Sequence, residues 1–150
     1  MKIILQRVSE ASVTVNNEIV SSIKKGYLIL LGITNEDTID DIKWLTNKIT
    51  NLRIFNDVNN VMNLSLKDIN GNAIVVSQFT LLANTKKGNR PSYIKAAKPD
   101  ISIPLYEKFV TQLELDLGKK VGTGVFGADM KVALINDGPV TINIDSKRKE

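Results

Sequence analysis

The chain has 150 residues, of which 43% are hydrophobic and 24% are charged, and it contains no histidine and no cysteine. This length suits one ordinary domain, which buries roughly 70% of its unfolded surface. The missing residue types exclude disulfides, zinc sites of the usual ligand types and His-dependent nucleophilic catalysis, and the net charge of +4 favours polyanionic partners only mildly.

Short apolar segments predict a single cytoplasmic domain over residues 1–150. No run of about 18 apolar residues that could span a membrane occurs, so no membrane partner is expected. The apolar stretch at the N-terminus is too short for a signal peptide. The missing cysteines fit a reducing cytosol.

The first third of the chain has the pattern of β-strands. Residues 2–8 and 12–15 alternate between apolar and polar side chains, and residues 18–23 form the returning strand. Asn16 and Asn17 between them suit a two-residue hairpin turn, because Asn tolerates positive φ. The continuous apolar run 27–33 is typical of a strand buried on both faces.

An amphipathic helix is predicted from about residue 37 to residue 51, with Asn35 as its N-cap. The helix dipole favours the acidic residues that crowd its start. Four apolar residues at steps of 3, 4 and 3 form the face that packs on the core: Ile42, Leu45, Ile49 and Leu52.

Further strands are predicted at 53–55, 73–82, 120–126, 131–136 and 140–145. The run 73–82 is the longest of β-like character, and a basic loop follows it over residues 84–90. A second helix is predicted over about 102–117, with Pro104 tolerated only in its first turn.

These elements predict one α+β domain with two main helices and a curled or barrel-like, largely antiparallel sheet. Residues 146–150 follow the last predicted strand, and we expect them to form a flexible basic tail. No role is assigned to this tail.

The sequence has no convincing nucleotide-binding motif and therefore does not predict a nucleotide cofactor. A phosphate-binding G-x-x-x-x-G-K-[ST] loop is absent, and residues 122–127 match G-x-G-x-x-G only formally. That segment neither follows an early buried strand nor opens a clear helix, as a dinucleotide fold requires. No cofactor and no metal site are therefore expected.

The remaining chemistry is the kind that needs little from side chains. An activated ester hydrolyses faster when fixed backbone N–H groups stabilise the developing oxyanion, and losing one such donor costs about 3–4 kcal/mol. Where the strand that contains Ser77, Gln78, Phe79 and Thr80 ends or bulges, its N–H groups can point into a cleft. From spacing alone, Ser77 and Thr80 are more often ordinary strand hydroxyls on an outer face.

The segment Asn136-Asp137-Gly138-Pro139 allows two interpretations. It is a strong turn signal that joins two strands. Alternatively, a rigid Gly138-Pro139 loop presents its carbonyls to a ligand, since Gly allows close approach and Pro fixes the chain direction. Only about 5–6% of X-Pro bonds are cis, so spacing alone predicts no cis bond here.

These segments resemble the D-aminoacyl-tRNA deacylases, formerly described as D-tyrosyl-tRNA deacylases, over residues 1–145. The specific part of the resemblance is Ser77-Gln78-Phe79-Thr80 followed about 60 residues later by residues 136–141, which read Asn-Asp-Gly-Pro-Val-Thr. The resemblance implies hydrolysis of the ester bond of D-aminoacyl-tRNA, with rejection of L-aminoacyl-tRNA. It implies no cofactor, and the acceptor end of tRNA is the expected partner.

The resemblance also implies a homodimer with active sites at the subunit interface. Gly138-Pro139 would then be a cis pair inserted into the partner's pocket, and Arg7 would help to anchor it. Ser77, Gln78, Phe79 and Thr80 would form the wall that receives the aminoacyl group.

Two mechanisms follow from the resemblance. The first relies on backbone donors around Phe79 and Thr80 and on the 2′-hydroxyl of the terminal adenosine, with water as the nucleophile. In the second, Thr80 is the nucleophile, although a Thr hydroxyl without a general base is a poor one. A clash with L side chains would leave glycyl-tRNA as a further substrate.

The same resemblance implies further residues around the aminoacyl site. Lys86, Lys87 and Arg90 would contact tRNA phosphates, although a solvated basic loop is an equal alternative. Phe126 and Met130 would line the adenosine pocket, although such residues are more often core. Two other functions stay open from the residues alone: a non-catalytic RNA- or protein-binding module, and a hydrolase of other activated esters.

Overall fold

A barrel-like mixed sheet and two α-helices make up the computed structural model, which describes residues 1–149. A short 3₁₀ helix, Phe79–Leu82, follows the sixth strand. The strands and α-helices in chain order are β1 Lys2–Val15, β2 Glu18–Ile23, β3 Gly26–Gly32, α1 Ile39–Asn51, β4 Phe55–Asn56, β5 Met62–Leu64, β6 Asn72–Ser77, α2 Pro99–Leu117, β7 Gly122–Thr123 and β8 Lys131–Asp145. The predicted α+β class and the two main helices are confirmed.

Strand β1 is the centre of the sheet. Its first half pairs with β3 and its second half with β2, while β8 pairs along its other edge, all antiparallel. Strands β3, β6 and β7 then follow in parallel. The predicted segments 2–8 and 12–15 are therefore one strand of 14 residues. The turn at Asn16 and Asn17 is confirmed, because both residues have positive φ, 50° and 65°.

Two apolar clusters cover the two faces of the sheet. The larger cluster joins β1, β3 and β6 to both helices, and its fully buried members include Ile29, Leu45 and Phe109. The smaller cluster lies on the opposite face, where Val8, Leu28 and Ile74 pack together. The alternation of inward and outward side chains along each strand produces this division.

Both helices begin at positions that differ from the prediction. Helix α1 has Thr38 as its N-cap and not Asn35. The N–H and the hydroxyl of Thr38 donate to Asp41 Oδ2 at 2.8 and 3.1 Å, an arrangement that satisfies an otherwise free donor at the helix start. Helix α2 begins at Pro99, so Pro104 lies inside the helix and not in its first turn.

The last predicted strands were also wrong in their bounds. Residues 131–136 and 140–145 belong to one strand, β8, of 15 residues, and the segment between them is a bulge of that strand and not a turn between two strands. The predicted strand 73–82 ends at Ser77 and continues as the 3₁₀ helix. Of the predicted strand 120–126, only Gly122–Thr123 is a strand.

Residues 146–149, the described part of the segment expected to form a flexible tail, contact the rest of the chain. Ser146 is buried, and its N–H donates to Met1 O at 2.9 Å. Lys149 Nζ lies 4.8 Å from the centroid of the Trp44 ring, a cation–π contact. Glu150 lies outside the described residues.

An ion pair fastens the same segment to α1. Lys147 Nζ donates to Asp41 Oδ2 at 2.8 Å. Burial raises the pKa of Asp41, but hydrogen bonds from Lys147, Ser146 and Thr38 outweigh this effect and hold the pKa well below its usual range. The hydrogen bond to Asp41 in turn raises the pKa of Lys147.

None of the helices within residues 1–149 is both long enough and apolar enough to cross a membrane.

We predict that Asp41→Ala lowers the free energy of unfolding by about 1–2 kcal/mol at pH 7, because the helix start loses its acceptor and Lys147 its partner. The pKa of Asp41 is lower in the folded state, so its contribution is present above the unfolded pKa and is lost as the pH falls through the folded pKa. Urea titrations should therefore give a constant difference from wild type above about pH 5, which shrinks below about pH 4. Asp40→Ala, a matched change of an exposed neighbour, should alter stability by less than about 0.5 kcal/mol. Equal losses in the two variants would contradict this account.

Candidate active site

The end of β6 leaves two backbone N–H groups without acceptors. Gln78 N–H still donates to Leu31 O at 2.8 Å, and the chain then turns into the 3₁₀ helix. Within residues 1–149, the N–H groups of Phe79 and Thr80 have no hydrogen-bond acceptor, as expected at a helix start. Both residues are exposed, so the two donors are available to a ligand.

A half-open cavity of about 270 Å³ lies beside this turn. Ser77, Gln78 and Phe79 line it, so three of the four residues expected to form the wall are brought together. Phe126 also lines the cavity and packs edge-on against Tyr106, with ring centroids 5.8 Å apart. The expected pocket residue Phe126 is therefore next to the expected wall.

Tyr93 is a cavity residue that the sequence did not predict. It lies edge-on against Phe79, with ring centroids 5.0 Å apart. The Phe79 side chain is 56% exposed, so this aromatic pair forms an open apolar rim. The one signal in the sequence that could have indicated this role is that Tyr93 is a lone aromatic residue at the end of a basic, polar loop.

The hydroxyl of Thr80 has an amide as its neighbour. Gln78 Nε2 donates to Thr80 Oγ1. A side-chain amide does not accept a proton, so this contact orients the hydroxyl without activating it. Within residues 1–149, Thr80 forms no hydrogen bond to a carboxylate.

Tyr106 is the ionisable residue beneath the cavity. Its hydroxyl donates to Val75 O at 2.7 Å. Burial raises the pKa of Tyr106 to about 12, and a hydrogen bond with the backbone of Gly124 opposes the shift. Tyr106 therefore stays neutral at physiological pH and serves as a packing residue.

The second expected motif is a loop that protrudes from β8. Val8 pairs with Asn136 and Gln6 with Thr141, so the intervening residues of β8 outnumber those of β1 and bulge outward. The Gly138–Pro139 peptide bond is cis, as the resemblance implies, and Gly138 has a φ of 134°. Both residues are exposed.

Polar residues at the two ends of this loop hold it closed. Asn136 Oδ1 accepts the N–H of Val140 at 3.0 Å, and Asn136 Nδ2 donates to Thr141 Oγ1 at 2.8 Å. These side chains replace the strand ladder that the bulge interrupts.

Arg7 supports the loop from below. Its guanidinium is buried and donates through Nε to Asp137 O at 2.9 Å and through Nη1 to Ile54 O at 2.6 Å. Arg7 Nε also lies 3.6 Å from Asp137 Oδ2. A Cβ added to Gly138 would lie 2.9 Å from Arg7 Nη2. Close packing against Arg7 therefore requires glycine at this position.

Strand registers separate the two motifs within one chain. Ser77 is level with Leu31 and Ile3, whereas the loop is level with Arg7, four residues further along β1. Three strand spacings across and four residues along correspond to roughly 20 Å on a flat sheet. One chain therefore does not bring Gly138-Pro139 to its own cavity.

The remaining expected residues lie at different places. Lys86, Lys87 and Arg90 are exposed on the loop after the 3₁₀ helix. Met130 packs against the smaller apolar cluster and does not line the cavity within the described residues. The structure thus brings Phe126, but not Met130, to the cavity.

Comparisons of the sequence with known proteins give matches over nearly the whole chain. The family model for D-Tyr-tRNA(Tyr) deacylase matches residues 4–145. A D-aminoacyl-tRNA deacylase of Flavobacterium psychrophilum is 71% identical over 150 residues, and one of Flavobacterium johnsoniae is 63% identical, each covering 100% of both chains.

Solved structures give the same fold. A chain described as c-Myc DNA Unwinding Element Binding Protein has a TM-score of 0.90 at 39% identity and covers 97% of this chain and 98% of its own length. A structure described as a probable eukaryotic D-amino acid tRNA deacylase has a TM-score of 0.80 and covers 95% of this chain and 98% of its own length. At 16% identity, the second structure shows the fold alone.

Proposed function

The chain belongs to the D-Tyr-tRNA(Tyr) deacylase family, and we propose that it is a D-aminoacyl-tRNA deacylase. The reaction cleaves the ester between a D-amino acid and the terminal adenosine of tRNA, and it releases both in free form. The observation that carries the proposal is the full-length match to D-aminoacyl-tRNA deacylases. No finding supports a non-catalytic binding module. We also propose the cytoplasm, where tRNAs are charged and used, as its compartment.

The two free N–H groups support a mechanism that relies on the backbone. An ester carbonyl placed at the cavity mouth can accept from Phe79 N–H and Thr80 N–H. Water adds to the carbonyl carbon, and the negative charge that develops on the carbonyl oxygen is stabilised by both donors. The bond to the ribose oxygen then breaks, and that oxygen takes the proton of the adjacent 2′-hydroxyl. The 2′-oxygen in turn receives the proton that the attacking water gives up, so it is a hydroxyl again when the products leave.

Thr80 acts in this mechanism as a positioning residue. Gln78 holds its hydroxyl, and no imidazole, thiolate or carboxylate is placed to remove its proton within the described residues. Attack by Thr80 remains the alternative mechanism. It predicts that removing the Thr80 hydroxyl abolishes activity.

We predict that Thr80→Ala keeps kcat within about tenfold of wild type, because its backbone N–H remains.

Phe79→Ala and Phe79→Pro form a matched pair, since both lose the ring and only the proline loses the N–H. Phe79 is the first residue of the 3₁₀ helix and its N–H has no acceptor within residues 1–149, and the first helical position is the one that accommodates proline best.

In single-turnover assays, Phe79→Pro should be slower than Phe79→Ala by about 10²–10³. Loss of activity in Thr80→Ala with substrate still bound would instead favour the nucleophilic mechanism.

Chiral selection is proposed to come from Gly138-Pro139 of a second copy. The position of this loop outside the cavity lining of its own chain, within residues 1–149, supports this arrangement, as does the buried Arg7 that holds the loop. Its carbonyls would bind the substrate's α-amino group and leave no room for an L side chain.

The outer edge of β8 supports the same homodimer. Within residues 1–149, β8 pairs only with β1 in the sheet, so its other edge is unpaired over a strand of 15 residues. Exposed edges of this length are normally covered. Ile135 on this strand is 55% exposed, which adds apolar surface to the edge.

The function is tested by following ester loss from D-tyrosyl-tRNA, L-tyrosyl-tRNA and glycyl-tRNA with purified protein. We expect rapid loss of the D-ester and of the glycyl ester, because glycine has no side chain to clash, and no loss of the L-ester beyond the protein-free control. Equal slow loss of all three would indicate general ester hydrolysis. Resistance of glycyl-tRNA alone would refute the steric account of chirality.

The shared site is tested by mixing two inactive variants. Ser77→Phe places a ring in the cavity, and Gly138→Ala places a methyl group against Arg7. A heterodimer purified through two different tags should regain about half of wild-type activity, because one of its two sites is intact. The two homodimers, purified in the same way, are the controls. A heterodimer as inactive as both parents would show that each site lies within one chain.

A further inference from the structure

A second and larger depression lies behind the wall of the cavity. This groove has a volume of about 840 Å³, against about 270 Å³ for the cavity. Its walls are the segment after the 3₁₀ helix, the segment 94–95, the turn after β3 and both chain termini.

The groove and the cavity share one stretch of backbone. Tyr93 and Ala96 face the cavity, whereas Ile94 and Lys95 face the groove. Ser92 and Asn84 exchange two backbone hydrogen bonds of 2.8 and 3.0 Å at one end of this stretch. Ala97 N–H donates to Ile33 O at 2.9 Å at the other end. The dividing wall is therefore fixed, and a ligand that leaves the cavity has the groove as its neighbour.

The lining of the groove is strongly basic. Five side chains are cationic and two are acidic. Lys2 pairs with Asp145 at 3.7 Å, and Lys147 pairs with Asp41. Within residues 1–149, the other three cations form no ion pair: Lys86, Lys95 and Arg148.

The C-terminal segment places Arg148 at this groove. Its backbone N–H donates to Asp145 O at 3.1 Å. The neighbouring Lys147 is held by Asp41, and Lys149 packs on Trp44. Three contacts thus hold this segment in place, and the Arg148 side chain forms no ion pair within residues 1–149.

We propose that this groove binds the sugar-phosphate backbone of the tRNA acceptor end, with Lys86, Lys95 and Arg148 contacting phosphates. The inference rests on the proposed function: with the terminal adenosine at the cavity, the groove on the other side of the shared wall is the neighbouring surface for the nucleotides next to it. Phosphate contacts give affinity without sequence preference. Lys87 and Arg90, also expected to contact tRNA, do not line this groove.

Two matched double variants test the proposal. Lys95→Ala/Arg148→Ala removes two cations from the groove, and Lys87→Ala/Arg90→Ala removes the same residue types from the loop outside it. The ligand is an RNA hairpin that carries a tRNA acceptor stem and its single-stranded 3′ end. Its Kd is measured by fluorescence anisotropy over a range of salt concentrations.

The groove variant should raise Kd by about tenfold at low salt and reduce the slope of log K against log salt by about 1.4–1.8. The loop variant should change both values much less. Equal effects of the two variants, or no effect of the groove variant, would overturn the proposal. A change in the mass of the groove variant by sedimentation would also overturn it, because the groove would then be a contact between subunits.

Hydrolysis rates on two substrates test the groove independently of the proposed deacylase function. The groove variant should lose kcat/KM about tenfold on D-tyrosyl-tRNA and keep wild-type rates on D-tyrosyl-adenosine, which has no phosphate. A loss on both substrates would overturn the groove as a phosphate site. Wild-type protein that binds the hairpin through the groove but hydrolyses neither ester would refute the deacylase function alone.

Discussion

Pairing along both edges of β1 fixes the positions of both functional segments. Strand β1 pairs with β3, and β3 pairs with β6, so this register determines where along the sheet β6 ends. Strand β1 also pairs with β8, and that register determines where along the sheet the Gly138-Pro139 bulge lies. The two levels differ by four residues, and the two segments lie three strands apart. Within residues 1–149, Gly138 and Pro139 accordingly do not line the cavity of their own chain. Strand register is thus the reason why the proposed role of this loop is assigned to a second copy.

The treatment of unpaired backbone groups differs between the two segments. At the bulge, Arg7 donates to the carbonyls of Asp137 and Ile54, and Asn136 accepts the N–H of Val140. These groups are satisfied because an unpaired buried polar group costs about 1–3 kcal/mol. At the end of β6, the N–H groups of Phe79 and Thr80 are exposed, so water satisfies them at little cost until a substrate displaces it. The fold makes one segment rigid and leaves the other ready to bind.

Local sequence patterns predicted the elements that local physics determines. The Asn16–Asn17 turn, the apolar face of α1 and the fold class followed from periodicity and turn chemistry. The continuity of β8 did not, because pairing with β1 overrides the turn preference of Asn-Asp-Gly-Pro. The 3₁₀ helix after Ser77 was missed because Phe79, Leu81 and Leu82 are equally suited to a strand. The docked tail depends on an ion pair with Asp41, 106 residues away, and no local pattern signals it. The site residues themselves came from resemblance, since spacing alone favoured ordinary strand hydroxyls.

A site built from backbone groups suits a substrate that is already reactive. An aminoacyl ester needs modest acceleration, and two fixed N–H donors are sufficient to supply several kcal/mol. A strong nucleophile or base would hydrolyse any ester that reached it, so every transient misplacement of an abundant L-ester would be costly. In the proposed mechanism, cleavage depends on the placement of the carbonyl against the N–H groups of Phe79 and Thr80. Placement is in turn what a rigid loop held by Arg7 can restrict. The proposed mechanism therefore needs neither histidine nor cysteine, because in it selectivity and rate depend on the same geometry.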